Sequence, residues 1–297
     1  MNKITEEKNI LSENIDILSI KEALEIINNQ DKTIPLIINK HLDEIEILIN
    51  MTVESLSNNG RLFYIGCGSS GRIGVLDASE CPPTFNVDNK VVQGIIAGGD
   101  KALHTSVEGA EDIPENAIND LKAKSITKDD TVIGISASGS ADYVLAGLKY
   151  AKKYNSNTAL ITFNNIDNHI FIDHTLSIIV GPEIIAGSTR MKAGTATKMI
   201  LNMITTVSMI KIKKIFKNLM VDLKVSNKKL LDRAIRIVSE LTKCDYEKSA
   251  NLLKKANNNV KIAILMEKLQ LDYKSSLKKL DFYNGNLRNA LKWKFLV

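Results

Sequence analysis

Five short runs of β-forming residues, separated by helix-patterned segments, constrain this chain more than any other feature. They are Leu62–Ile65, Val91–Ala97, Thr131–Ser136, Thr158–Phe163 and Leu176–Val180. Most are nearly continuous apolar stretches rather than alternating ones, the pattern of strands buried on both faces. Between them, Ala141–Lys153 places Val144, Leu148 and Ala151 on one helical stripe. Strand alternating with helix predicts an α/β fold: three layers, with a five-stranded parallel sheet flanked by helices.

Two longer helices are expected beside the sheet. Ile34–Asn58 carries Ile38, Leu42, Ile45, Ile49, Val53 and Leu56 at spacings of three and four, with Pro35 near its start and Gly60 past its end. Lys192–Lys217 repeats the pattern through Ala196, Met199, Met203, Val207 and Ile210. Their apolar faces are broader than one sheet needs, which predicts a homodimer with one of them in the contact. From about Asn227 the chain turns Lys- and Leu-rich, without strand signals, and breaks near Asn257–Asn259 and Asn284–Asn286. We therefore expect a main domain over 1–225 and a small helical domain over 226–297.

Bulk properties narrow the function. The net charge of +5 is scattered, with no basic stripe interleaved with aromatics, so nucleic acid is not an expected partner. Diffuse positive charge suits an anionic metabolite. Cys67, Cys81 and Cys244 form no CxxC and no zinc spacing, as in a reducing compartment, and no metal is expected. The start of the chain has acids where a secretory signal needs an apolar core, and no stretch is long enough to span a membrane. The expected location is cytoplasmic.

The chemistry concentrates in loops. Gly66-Cys67-Gly68-Ser69-Ser70-Gly71-Arg72 follows the first strand and opens a helix, an arrangement that points free N–H groups at an anion. Ser136-Ala137-Ser138-Gly139-Ser140 follows the third strand and precedes the Ala141 helix. In a parallel sheet both loops open at the carboxyl edge, where ligands bind. Serine is also a preferred N-cap whatever the function, so one loop alone says little; two on one edge favour phosphate. Glu80 lies in Ser79-Glu80-Cys81-Pro82-Pro83, where the double proline is expected to stop the helix and stiffen the turn. Further acids lie in Glu108-Gly109-Ala110-Glu111-Asp112, and spacing does not single out Glu111 among them. Gly66, Gly68 and Gly71 mimic a dinucleotide fingerprint, but the serines inside it and the want of an acid after the second strand argue against a nicotinamide cofactor. A third cluster, Gly181–Lys198, packs Glu183, Ser188, Arg190 and Lys192 among small and hydroxyl residues ahead of the last long helix, as a lined pocket or a capped helix entry would.

Taken together, Gly66–Gly71, Asp77–Thr84, Val107–Asp112 and Gly181–Lys198 resemble the N-acetylmuramic acid 6-phosphate etherase family, which is built on the sugar isomerase (SIS) phosphosugar-binding fold. The resemblance extends to Thr5-Glu6-Glu7-Lys8-Asn9, Asn28, Asp31 and Asn218–Asp222, and so to essentially the whole chain. It implies a homodimer, no cofactor, and cleavage of the lactyl ether of a phosphorylated amino sugar to N-acetylglucosamine 6-phosphate and D-lactate. It places the catalytic acid on Glu80 and the base on Glu111, with Ser69, Ser70, Ser136, Ser138, Ser140, Glu183, Ser188 and Lys192 around the substrate. The first loop carries Cys and Ser where the family usually has Ala and Thr. The second reads Ser140-Ala141-Asp142 where Arg-Thr-Pro commonly follows the glycine, so that cation's contribution is either lost or redistributed.

The implied route opens the sugar ring, so that the aldehyde acidifies the C2–H. One carboxylate removes that proton, one carboxylic acid protonates the departing lactate oxygen, and water adds to the unsaturated aldehyde. This needs one ionised and one protonated carboxyl in one pocket. The rival is a non-catalytic sugar-phosphate sensor, because the glucokinase regulatory protein resembles the same family and binds fructose phosphates without turning them over. An aldose–ketose isomerase would share the base but not need the acid. A transcription factor of this fold would need a helix-turn-helix ahead of the sheet, which Ile34–Asn58 does not resemble.

Overall fold

Strand and helix alternate as the apolar runs require. In this computed structural model, which describes residues 3–225 and 227–292, the strands are β1 (Leu62–Gly66), β2 (Val92–Ile96), β3 (Thr131–Ile135), β4 (Asn157–Thr162) and β5 (His174–Ser177). They form one sheet in the order β2-β1-β3-β4-β5, with every neighbouring pair parallel. Every residue of β1 and β3 is buried, which is why those runs show no polar alternation. The last strand pairs two residues earlier than expected, with His174–Ser177 against Ala159–Thr162; Ile178 and Val180 continue as buried chain beyond the ladder.

Helices α1 (Ile20–Asp31), α2 (Thr33–Ile38) and α3 (Leu42–Ser57) precede the sheet. Helices α4 (Gly68–Phe85), α5 (Lys101–His104), α6 (Pro114–Ala123), α7 (Asp142–Lys153) and α8 (Lys192–Lys211) follow its strands. Phe63, Ile65, Val132 and Leu160 pack with Tyr143, Val144 and Leu148 of α7 and Ala117 and Leu121 of α6. The alternate residues of β1 and β3 face the other way: Tyr64 lies against α4 at Gly74, and Thr131 bonds Ser55 and Met51 of α3. So α4 leaves β1 on one face of the sheet and α7 leaves β3 on the other. The adjacent carboxyl ends of β1 and β3 are therefore a topological switch point, where open α/β sheets take their ligands.

Three helix boundaries also differ from expectation, each for a local reason. The helix expected over Ile34–Asn58 is broken by a 3-10 turn at Asn39–His41, where His41 leaves helical geometry. Ile34 and Ile38 are buried before the break, Leu42 is exposed, and Ile45 and Leu48 resume the buried stripe after it. The Lys192–Lys217 helix ends at Lys211, because Lys213 takes a left-handed conformation (φ 71°). Pro82 and Pro83 do not stop α4: both lie within its last turn, and the Pro82 carbonyl still accepts, taking the Asn86 N–H at 2.9 Å. The helix ends instead at Asn86, which is left-handed (φ 51°).

The chain separates into two compact units, Met1–Ser79 with Asn89–Ser208, and Glu80–Asp88 with Met209–Val297. The second unit holds α9 (Lys228–Thr242), α10 (Tyr246–Lys255), α11 (Val260–Leu269), α12 (Tyr273–Phe282) and α13 (Leu287–Lys292). Side chains of Asn227, Asp245, Asn259 and Asp272 cap the first four. Ala234, Val238, Leu253, Ile264 and Leu280 are among the residues of its core. Lys261 is buried with them, and its ammonium is satisfied by Asp222 and by the carbonyls of Lys213 and Gly285. Among the described residues no helix is long and apolar enough to cross a membrane.

Candidate active site

The loop after β1 is shaped by a close backbone approach. A Cβ on Gly66 would lie 2.7 Å from Gly71 N, and one on Gly71 would lie 2.6 Å from Gly66 O, so neither position admits a side chain. Gly68 turns the chain through positive φ (51°) into α4. The first N–H groups of α4 lack intrahelical acceptors, and the positive end of its dipole lies at Ser69 and Ser70. The loop after β3 is a chain of hydroxyls. Ser140 Oγ donates to Ser138 Oγ at 3.1 Å, Ser138 Oγ lies 3.4 Å from Ser136 Oγ, and the Ala141 N–H donates to Ser136 Oγ at 3.4 Å.

These loops line one cavity of about 330 Å³ at the switch point. Ser69, Ser70, Ser136, Ser138 and Glu111 all border it. Glu111 arrives on a 3-10 turn, Ala110–Asp112, which Gly109 opens with a left-handed conformation. Glu108, near it in sequence, takes a hydrogen bond from Ser106 and lines only an adjoining, smaller cavity of about 140 Å³, which Cys67, Gly68 and Glu111 border as well. Of the two, position on the turn selects Glu111 for the larger cavity. Cys67 borders it as well, and burial, helped by Glu111 and Asp112, pushes its thiol up to about 12. That thiol stays protonated and is a poor nucleophile.

An N-terminal strap completes the wall. Lys3, Thr5 and Glu6 line the cavity together with Gly187 and Thr189. Thr5 is fully buried: its N–H and hydroxyl meet Asn164, and its carbonyl accepts the Gly187 N–H at 3.0 Å. Asn164 Nδ2 also donates to Ala137 O at 2.9 Å, which ties the strap to the serine loop. Composition and periodicity give no hint that residues 3–6 reach this edge. The string Thr5–Asn9 is visible only through the family resemblance.

The remaining expected residues lie elsewhere. Ser140 stands beside the cavity, bonded to Ser138 and to Lys3. Glu183 is fully buried and accepts the N–H groups of Lys192 (2.8 Å) and Ala193 (2.9 Å), so it holds the start of α8. The Lys192 ammonium donates to Gln30 Oε1 and Pro182 O, and burial lowers its basicity. Ser188 donates its N–H to Ile185 O and does not line the cavity, although both its neighbours do. Glu80 is exposed, ten residues beyond Ser70 or about three turns along α4, and is not a lining residue.

Three family models match parts of this chain. Residues 110–207 match the SIS domain model, residues 44–152 the glucokinase regulatory protein N-terminal SIS domain, and residues 217–277 the C-terminal lid domain of glucokinase regulatory protein. A protein of Escherichia coli CFT073, solved in complex with a ligand, is 23% identical, with a TM-score of 0.49, over 67% of this chain and 96% of that one. The N-acetylmuramic acid 6-phosphate etherase of Bacillus cereus (strain ATCC 14579) is 47% identical over 98% of this chain and 99% of its own. That of Bacillus cytotoxicus is 47% identical over 97% and 98%. With a switch-point cavity walled by two serine loops, Glu111 and the N-terminal strap, and with relatives that match it end to end, this chain belongs to the N-acetylmuramic acid 6-phosphate etherase family, enzymes of the carbon–oxygen lyase class.

Proposed function

We propose that this protein cleaves the D-lactyl ether of N-acetylmuramic acid 6-phosphate, giving N-acetylglucosamine 6-phosphate and D-lactate, in cytoplasmic catabolism of cell-wall amino sugars. The observation that carries the reading is the convergence of Glu111 with Ser69, Ser70, Ser136 and Ser138 on one cavity. The serine loops and the N-terminus of α4 take the phosphate, which fixes the open-chain sugar by one end. Glu111 removes the C2 proton. The C3–O bond then breaks, its electrons leave with the lactate oxygen, and that oxygen is protonated by Glu80. Water adds at C3, C2 regains a proton, and the sum is one water consumed per ether cleaved. Glu80 is the acid by resemblance, not by position in the single-chain cavity. Glu183 and Lys192 serve by building the start of α8 rather than by touching substrate.

A homodimer belongs to the same proposal. Ile10, Ile17, Ile20, Leu24, Leu36, Leu42 and Ile47 are exposed large apolar side chains of the N-terminal segments, whereas on α8 only Ile210 is an exposed large apolar residue. This favours the α1–α3 region over α8 as the contact.

The matches to two glucokinase regulatory protein models favour a second reading, a sugar-phosphate sensor without turnover. One assay separates the two. Purified protein is incubated with N-acetylmuramic acid 6-phosphate, and D-lactate is measured with a lactate dehydrogenase. The proposal expects stoichiometric lactate and N-acetylglucosamine 6-phosphate. Tight binding without lactate would establish the sensor instead.

A further inference from the structure

We propose that Lys3, carried on the N-terminal strap, is the cation that grips the substrate phosphate. The inference rests on the phosphosugar reading above and names a ligand that reading lacks. Lys3 Nζ donates to Ser140 Oγ at 2.9 Å, at the end of the hydroxyl chain that runs through Ser138 to Ser136. Of the described residues that line the cavity, Lys3 is the one Lys or Arg, and the other ionisable groups beside the thiol are the acids Glu6 and Glu111. A phosphate dianion placed among two carboxylates needs a compensating positive charge.

Three other cations near the site have partners of their own. Lys192 is held by Gln30 and Pro182, Lys198 by Asn202, and Arg72 borders the smaller cavity and bonds Thr105 O. Lys3 is exposed, yet its backbone is pinned: Thr5, two residues on, is fully buried against Asn164 and Gly187. A long flexible side chain on a fixed root reaches an incoming anion without moving the strap. The Lys3 ammonium reaches the end of the serine loop at Ser140 from a distant part of the chain.

The test uses the full chain with Lys3→Met, which keeps the stem and removes the charge. Calorimetric titration with N-acetylglucosamine 6-phosphate should show binding weakened about ten- to a hundredfold, the loss of one charge-assisted hydrogen bond. Unphosphorylated N-acetylglucosamine should show no such difference. In turnover, KM for N-acetylmuramic acid 6-phosphate should rise by the same factor, while kcat falls less than about threefold. Ser140→Arg in the Lys3→Met background should recover most of the affinity, because it returns a cation to the loop position whose hydroxyl lies 2.9 Å from the Lys3 ammonium. Unchanged phosphosugar affinity in Lys3→Met overturns the inference. So does equal weakening toward the unphosphorylated sugar, which would mean that the strap had come loose. Should the wild-type protein bind the phosphosugar but release no lactate, the etherase reading fails, while the Lys3 comparison still stands or falls on affinity. A wild-type protein that binds no phosphosugar removes both.

Discussion

Replacing Asn164 by Ala is expected to loosen two walls of the cavity at once. Asn164 is 2% exposed, and its side-chain nitrogen donates to Ala137 O (2.9 Å) in the serine loop and to Thr5 Oγ1 (3.0 Å) in the strap. A third contact, Thr5 N–H to Oδ1, is long at 3.4 Å and contributes little. Each good hydrogen bond contributes about 1 kcal/mol net, and a buried partner left unpaired costs about 1–3 kcal/mol. The two lost together put the destabilisation at about 2–4 kcal/mol. For a unit of this size that is a fall in Tm of about 5–10 °C. Scanning calorimetry reads the loss, and amide hydrogen exchange locates it. Residues 3–9 and 136–141 should exchange faster, while β1 and β3 keep their protection. KM for the phosphosugar should rise, because both loosened elements line the cavity. A Tm within about 1 °C of wild type, with unchanged exchange in the strap, would refute this account of how the wall is held.

Two further substitutions test neighbouring elements. Asp77 of α4 accepts a hydrogen bond from Thr205 Oγ1 at 3.2 Å and another from Tyr64, and burial pushes its carboxyl up to about 6. The folded state thus keeps a proton that the unfolded chain, with a carboxyl near ~3.9, has already released. Stability from this group therefore falls as pH rises from about 4 to about 6, by about 2–3 kcal/mol in all. Relative to wild type, Asp77→Asn should gain stability between pH 4 and pH 7 in urea titrations; a constant difference would contradict the sign. Glu183→Ala should cost about 2–3 kcal/mol by exposing the first N–H groups of α8, yet leave KM within about threefold. A large KM effect at full stability would return Glu183 to the substrate.

The central strands β1, β3 and β4 were legible because they are buried on both faces, so hydrophobicity alone marks them; the edge strand β5 is mostly half-buried, and its bounds were not. Which strands neighbour one another is not written in any local pattern. The order β2-β1-β3 sets the two serine loops side by side, and with both loops on one edge the cavity follows. Glu111 is indistinguishable from Glu108 by composition; a one-turn 3-10 segment and the left-handed Gly109 decide between them. The strap is hidden for a different reason. Its anchor, Thr5, is held by residues more than 150 positions away, and no periodicity records such a contact. The double proline misleads because proline forbids a donor, not an acceptor: placed in a last turn, it costs the helix two N–H groups and leaves the fold of that turn intact.

The central claim is that Glu111 starts the reaction by taking the C2 proton and Glu80 completes the first half by protonating lactate. Solvent exchange in deuterated water, followed by proton NMR of the sugar C2–H together with lactate release, tests it most directly. In Glu80→Gln, deuterium should enter C2 while lactate release nearly ceases; in Glu111→Gln, both should stop. Exchange lost in Glu80→Gln but kept in Glu111→Gln would reverse the two roles, and full activity in both variants would contradict the mechanism altogether.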